Sequence, residues 1–212
     1  MRYFLQWTLV AMVCSTSLAV AGDGNNIDVL QVSNGLIGNT LYIDQSQSTG
    51  SNVGGDRLGL LPAAQIGSAN TASFDIQGSG GSLAILQNNA FSGLGIGNQA
   101  DGVISGLFGF GSIQQLGDGN VATLTVNSAD PLNPATGEIS QLGFFNSAEL
   151  SVTGRGADGT LRQVGRGNSN ALVVEGAGTS ASYTQIGNNN ANPQGVTVVS
   201  NGGSVAITQY SF

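Results

Sequence analysis

The chain has 212 residues, among them 34 Gly, 20 Asn and 15 Gln, and only 8% are charged, where about 25% is usual. It contains neither His nor Lys, carries 5 Arg and has a formal net charge of −7. This excludes Ser-His and Cys-His nucleophilic sites, His-ligated zinc and a basic nucleic-acid-binding surface, while a 40% hydrophobic content separates it from an ordinary disordered tail.

Residues 1–21 read MRYFLQWTLVAMVCSTSLAVA, the order of an export signal. Arg2 supplies the positive start, an apolar stretch runs from Leu5 to Val13, and Ala19-Val20-Ala21 is a small-x-small cleavage pattern with Gly22 as the new N-terminus. The stretch is shorter than the ~20 residues of a membrane span, and Val13 argues against lipidation of Cys14. Cleavage removes the only Cys and leaves 4 Arg against 12 Asp and Glu, a net charge of −8. A secreted chain without disulfides needs another source of stability, and stacked repeats are one.

Residues 22–62 read as one rung and an irregular connection. Asn39, Leu41, Ile43 and Gln45 alternate, Gln31 starts that rung, and Gln47…Asn52 matches poorly. Residues 63–212 are a repeat. Gln-φ-Gly-x-x-Asn, with φ apolar, occurs at Gln65…Asn70, Gln115…Asn120, Gln141…Asn146, Gln163…Asn168 and Gln185…Asn190. A further copy without its Gln is read at Gly93-Leu94-Gly95…Asn98, and a half copy at Gln209-Tyr210. Successive starts are then 28, 22, 26, 22, 22 and 24 residues apart, a base period of 22 with insertions. Two insertions coincide with the loop sequences Asp130-Pro131-Leu132-Asn133-Pro134 and Asn192-Pro193.

Within each copy the spacing is that of a strand. Apolar residues follow the Asn at alternate positions, as in Ala148, Leu150 and Val152, and one precedes the Gln by two, as at Phe91, Ile113, Ile139 and Leu161. The unit is strand, tight arc, strand, arc. One unit cannot bury its inner face alone, but about seven stacked ~4.8 Å apart can. The fold class is therefore all-β, a β-solenoid of strand–arc–strand repeats. Stacking predicts an amide ladder of Gln65, Asn70, Asn98, Gln115, Asn120, Gln141, Asn146, Gln163, Asn168, Gln185, Asn190 and Gln209, bonded rung to rung as in amyloid. Gly67, Gly95, Gly117, Gly143, Gly165 and Gly187 are the predicted arc glycines.

The pattern Gln-φ-Gly-x-x-Asn-x-Ala at a 22-residue period, behind an export signal, resembles the curlin repeat of curli-type bacterial amyloid subunits, over roughly residues 60–212. The resemblance implies a strand–arc–strand solenoid exported through the outer-membrane secretion machinery. It also implies extracellular fibres for biofilm, adhesion and cell aggregation, with the chain itself and a related curlin subunit as partners. The sequence departs from the family where a second Gln is common four residues after the Ala. Ile76, Val126 and Val152 stand there.

From Gly176 to Phe212 there is no charged side chain, and Ser204–Tyr210 is β-prone, uncharged and free of Pro, the signature of a zipper segment. No capping repeat covers this end, so it is the expected site of fibre growth. Arg155, Asp158, Arg162 and Arg166 cluster at one junction, as gatekeepers against self-association or as solvated surface. Phosphate-loop and calcium-repeat motifs are missing, and the twelve acids form no convergent set. The expectation is a secreted, self-assembling fibre subunit, not an enzyme, with no metal or cofactor, no nucleic-acid partner and no membrane segment after cleavage. The alternative is a monomeric β-helical surface adhesin or ligand-binding protein.

Overall fold

A computed structural model describes residues 16–56, 60–90, 95–128 and 130–211, and every regular element among them is a β-strand. The strands coil into a β-solenoid of about eight turns with a period of roughly 24 residues. The first sheet stacks β1 (Thr16–Ala21), β4 (Thr40–Gln45), β8 (Thr71–Ile76), β11 (Gln99–Gly106), β13 (Val121–Thr123), β16 (Ser147–Thr153), β18 (Ser169–Glu175) and β20 (Val196–Val199), with β14 (Asn127–Ser128) between β11 and β16. The second stacks β2 (Asn26–Ile27), β6 (Asn52–Gly54), β10 (Ser82–Asn88), β12 (Phe110–Leu116), β15 (Thr136–Phe144), β17 (Asp158–Arg166), β19 (Ser180–Asn188) and β21 (Ser204–Tyr210). There β3 (Val29–Ser33) continues the turn of β2, and β7 (Ala63–Gly67) that of β6. A small third sheet joins β5 (Ser48–Thr49) to β9 (Gly78–Ser79).

Neighbours within each sheet are parallel and in register, because each strand leads through an arc to the opposite sheet before the chain returns one rung higher. Register turns the sequence alternation into columns. Ile85, Ile113, Ile139, Leu161 and Tyr183 lie one above another inside the second sheet. Leu150 stacks on Leu172, and Val152 on Val174, inside the first. The core is the dry layer where these columns meet.

Several glycines sit inside strands, where glycine ordinarily weakens a sheet. Gly111, Gly137 and Gly159 form one inward column. A Cβ at Gly137 would lie 2.8 Å from Val126 Cγ2, and one at Gly159 2.8 Å from Val152 Cγ2. The opposite sheet's large side chains therefore occupy the space a side chain would need. Gly102 instead makes room for Phe74, its register partner in the same sheet, whose Cδ1 would stand 2.9 Å from its Cβ.

The structure changes the sequence reading at two places. The turn read at 93–98 as lacking its Gln has one at Gln87, in register with Gln65 below and Gln115 above. The inserted residues therefore lengthen the arc between Gln87 and Asn98, because an arc can bulge outward whereas a strand residue must keep its column. Phe91, Gly93 and Leu94 lie outside the described residues, and Ile85 holds the inward position two before the Gln. At the other end, residues 1–15, Cys14 included, also lie outside the described residues. Thr16–Ala21, read as the end of the export signal, forms β1 along β4.

Replacing Gly137 by Val overpacks the core against Val126 and Leu124 and is expected to destabilise the monomer by about 1–3 kcal/mol. Thermal unfolding of G137V beside a surface control such as T160V would measure it, and an unchanged midpoint would contradict the packing described.

Candidate functional site

The chemical groups that recur in this molecule are amides, and the fold gathers them into two buried columns. Gln31, Gln65, Gln87, Gln115, Gln141, Gln163 and Gln185 are each at most 2% exposed. Each Nε2 donates along the axis to the Oε1 of the Gln one rung higher, at 2.6 Å from Gln31 to Gln65, 2.9 Å from Gln141 to Gln163 and 3.2 Å from Gln185 to Gln209. The other Nε2 proton crosses to the opposite sheet. Gln87 donates to Thr71 O at 3.0 Å, Gln141 to Val121 O at 2.8 Å and Gln163 to Ser147 O at 2.8 Å. The Gln column therefore ties rung to rung and sheet to sheet.

The second column is Asn39, Asn70, Asn98, Asn120, Asn146, Asn168 and Asn190. Its direction is opposite. Asn168 Nδ2 and its backbone N–H both donate to Asn146 Oδ1 one rung lower, at 3.0 and 3.1 Å. The same pair of bonds joins Asn190 to Asn168 and Asn120 to Asn98. Asn168 Nδ2 also reaches Gly187 O at 3.0 Å, and Asn120 Nδ2 reaches Gly143 O at 2.9 Å. Each Asn thus closes its arc and meets the arc above.

Arc geometry explains the glycine before each Asn. Gly117, Gly143, Gly165 and Gly187 have φ between +111° and +122°, and a Cβ on any of the first three would strike the carbonyl oxygen of the next glycine up. Gly67 has φ +112° but lies under Asn89, which stands in the glycine column of its rung. Asn89 Oδ1 accepts from the Ser68 N–H at 2.9 Å, and its Nδ2 donates to Ser68 O at 2.8 Å. Gly95, at φ +66°, belongs to the lengthened arc and is not a member of that column. Sequence reasoning missed Gln87 and Asn89 because it required a fixed interval between Gln and Asn. Asn88-Asn89 directly after a Gln was the available signal.

The four charged residues grouped in the sequence do not converge. Arg155 meets Asp130 of the rung below, Nε to Oδ2, at 3.8 Å, with the arginine side chain 63% exposed. The Asp130 carboxyl is held below its ordinary pKa first by the Leu132 N–H, then by the Asn133 side chain, with Arg155 adding less. Asp158 and Arg162 point outward from β17, and the Arg166 guanidinium lies 5.6 Å from the Phe145 ring centre.

Gln45 and Asp118 are among the buried polar groups outside the ladders. Gln45 is fully buried where the rungs above place Ile76 and Ile104, and neither its Oε1 nor its Nε2 has a hydrogen-bond partner. Asp118, in an arc, is likewise buried with both carboxylate oxygens unpartnered. No group of three or more His, Cys, Asp or Glu side chains among the described residues is placed to hold a metal. No family model, curated protein or solved structure matches this chain. Fold and columns together define a β-solenoid with polar, oppositely directed amide ladders.

Two substitutions of the same kind are expected to act in opposite directions. Gln141→Leu removes one acceptor and two donated bonds and should cost about 1–3 kcal/mol, whereas Gln45→Leu removes an unpaired amide and should raise stability. Denaturant unfolding of both variants would check this. Asp118→Asn should also raise the midpoint, since a buried carboxyl with neither oxygen bonded is exchanged for a group that cannot ionise.

Proposed function

We propose that this chain is an exported, self-assembling fibre subunit of the curlin-like kind. Its product is a polymer built by adding strands to the uncovered rungs at the solenoid ends. The observation that carries this reading is the upper end of the stack. Among the described residues no strand lies on β20 or β21, so a row of backbone donors and acceptors is left open, the geometry that recruits another strand. Val199, Val205 and Tyr210 are exposed there, and no charge follows Glu175. The ladders are also unfinished. No partner stands on the Gln209 Nε2 side of the Gln column or on Asn190 Oδ1 among the described residues. Soluble solenoids protect their ends with polar capping repeats, whereas β21, the last described strand, carries the motif's half copy at Gln209-Tyr210.

The export signal and the uncharged growing end fit a polymer deposited outside the cell, where it would serve matrix, adhesion and aggregation. Purified chain at tens of micromolar (roughly the range in which such polymers form) is expected to assemble after a lag that sheared seeds abolish. Aligned fibres should diffract at ~4.8 Å along the axis. A chain that remains monomeric for days with added seeds would favour the monomeric adhesin.

A further inference from the structure

Removal of the export signal sets the shape of the lower end. Cleavage after Ala21 takes away β1, whose Ser17, Ala19 and Ala21 lie beneath Leu41, Ile43 and Gln45 of β4 in the uncleaved chain. The seat under β4 is thus one that a parallel strand fits, and export empties it. The processed chain begins with β2–β3 and ends with β21, both in the second sheet, so the described residues keep seven strand levels in the first sheet and eight in the second. If one copy is set on another without turning, β3 rests on β21 and a strand place stays empty between β20 and β4. If the upper copy is turned by half a turn about the axis, β3 rests on β20, β4 rests on β21, and every place is filled.

The cross-section permits that rotation. Val152, Gln163 and Val174 are the last buried inward residues of β16, β17 and β18, and they follow one another at intervals of 11 residues. The two halves of a turn are therefore equal in length, and a half-turn carries the end of one sheet onto the end of the other with strand direction kept. In the turned junction Leu41 stands over Val205, Ile43 over Ile207 and Gln45 over Gln209. Gln45 is fully buried in the uncleaved chain with neither amide atom bonded. Gln209 Oε1 accepts from Gln185 Nε2 at 3.2 Å and from Tyr183 Oη at 2.6 Å, while its own amide donors lie at the open end. The rotation places Gln209 Nε2 under Gln45 Oε1, in the sense of every Gln bond below it.

The lowest turn is also prepared at its other arc. Asn25 Nδ2 donates to Gln45 O at 3.0 Å and Ser48 O at 3.1 Å, and its Oδ1 accepts from the Ser51 N–H at 2.8 Å. Asn39 does the same in the Asn column, towards Gln65 O, Gly67 O and the Asn70 N–H. Asn25 precedes Gln31 by six residues, as Asn168 precedes Val174, so the half-turn sets Asn25 over Asn190. Gln31 then stands over Val198 without the Ser17 bond that leaves with the signal. That is one acceptor, against the whole row of backbone groups that an empty strand place would leave unpaired.

We propose that copies of the processed chain join through β21 and β4 with a half-turn between neighbours, and that Gln45 is the acceptor held for Gln209 of the copy below. This rests on the fibre-subunit reading above. Such a head-to-tail contact does not close on itself, so it propagates as a filament. The test uses the chain beginning at Gly22, which contains no Cys. In the turned junction the outward residue Asp44 lies over Thr208, at the ~4.8 Å strand spacing that a disulfide can span. In the unturned junction Leu30 lies there instead. The D44C/T208C and L30C/T208C chains are grown under reducing conditions, oxidised as fibres, dissolved and resolved on a non-reducing gel. Covalent multimers are expected from the first and not from the second. Y42C/A206C probes the same turned junction one outward pair earlier and is expected to behave as D44C/T208C does. Gln45→Leu is expected to leave the monomer's unfolding midpoint no lower and yet to slow seeded elongation by about ten-fold, since each junction then buries an unpaired donor. Multimers from the Leu30 pair, from all pairs or from none, or Gln45→Leu fibres that grow at the unmodified rate, would overturn the half-turn junction and leave the fibre reading intact. Absence of fibres from the unmodified chain would overturn both.

Discussion

A buried primary amide has two protons and two lone pairs to satisfy, and in this molecule no single turn can satisfy them. Gln163 takes its axial acceptor from Gln185 above and gives its own carbonyl oxygen to Gln141 below, while its second proton crosses to Ser147. Removing a turn leaves amides on both sides unpaired, at about 1–3 kcal/mol for each buried group. The stack is therefore cooperative by construction, and the satisfied interior always stops at two unsatisfied faces. Apolar columns supply the larger share of burial, but they are tolerant of exchange among Ile, Leu and Val. The amides fix the register, since a slip of one residue would bring a Gln out of the column and an outward residue into it.

Much of this was legible in the sequence, because register in a parallel stack copies a linear interval into space. The five-residue step from Gln115 to Asn120 or from Gln185 to Asn190 marked the arc, and the alternation around it marked both inner faces. The reading failed where that interval was stretched. Gln87 and Asn98 are eleven residues apart, yet both occupy their columns, since an arc can swell into solvent while its two anchoring amides stay in place. The strand glycines were silent for a different reason. Gly111, Gly137 and Gly159 answer to side chains of the opposite sheet, a relation between faces that no single strand's pattern carries. Gln45 was read as one more member of the alternation, and so it is, but its amide has no column to join.

Apart from the buried Asp118, charged side chains among the described residues lie around this architecture rather than within it. Asp44 and Asp75 are register neighbours on the outer face of the first sheet, and Glu149 and Glu175 are exposed on the same face. Ser46 hydrogen bonds, the side-chain bond foremost, hold the Asp44 carboxyl below its ordinary pKa, so Asp44 stays ionised at neutral pH. A negative flank opposes side-by-side contact between copies, whereas the last turns, uncharged beyond Glu175, oppose nothing placed on top of them. The electrostatics therefore favour contact along the axis over contact across it.

The ladders add a direction to that axis. Backbone hydrogen bonds in a parallel sheet present alternating donors and acceptors on either edge, so an edge alone does not distinguish the two ends of a stack. The side-chain columns do. At the upper end the Gln column ends on a donor and the Asn column on an acceptor. At the lower end Gln31 Oε1 accepts from Ser17 Oγ, and Asn39 Nδ2 is bonded to the Val32, Gln65 and Gly67 carbonyls. Two upper ends brought together would set Gln donor against Gln donor, whereas upper against lower would keep the sense of the Gln-to-Gln bonds. In the proposed polymer, the same amides that hold the monomer in register would give the axis its direction. The rate at each end of such a polymer would depend on how completely the arriving turn supplied the strand and amide partners left open.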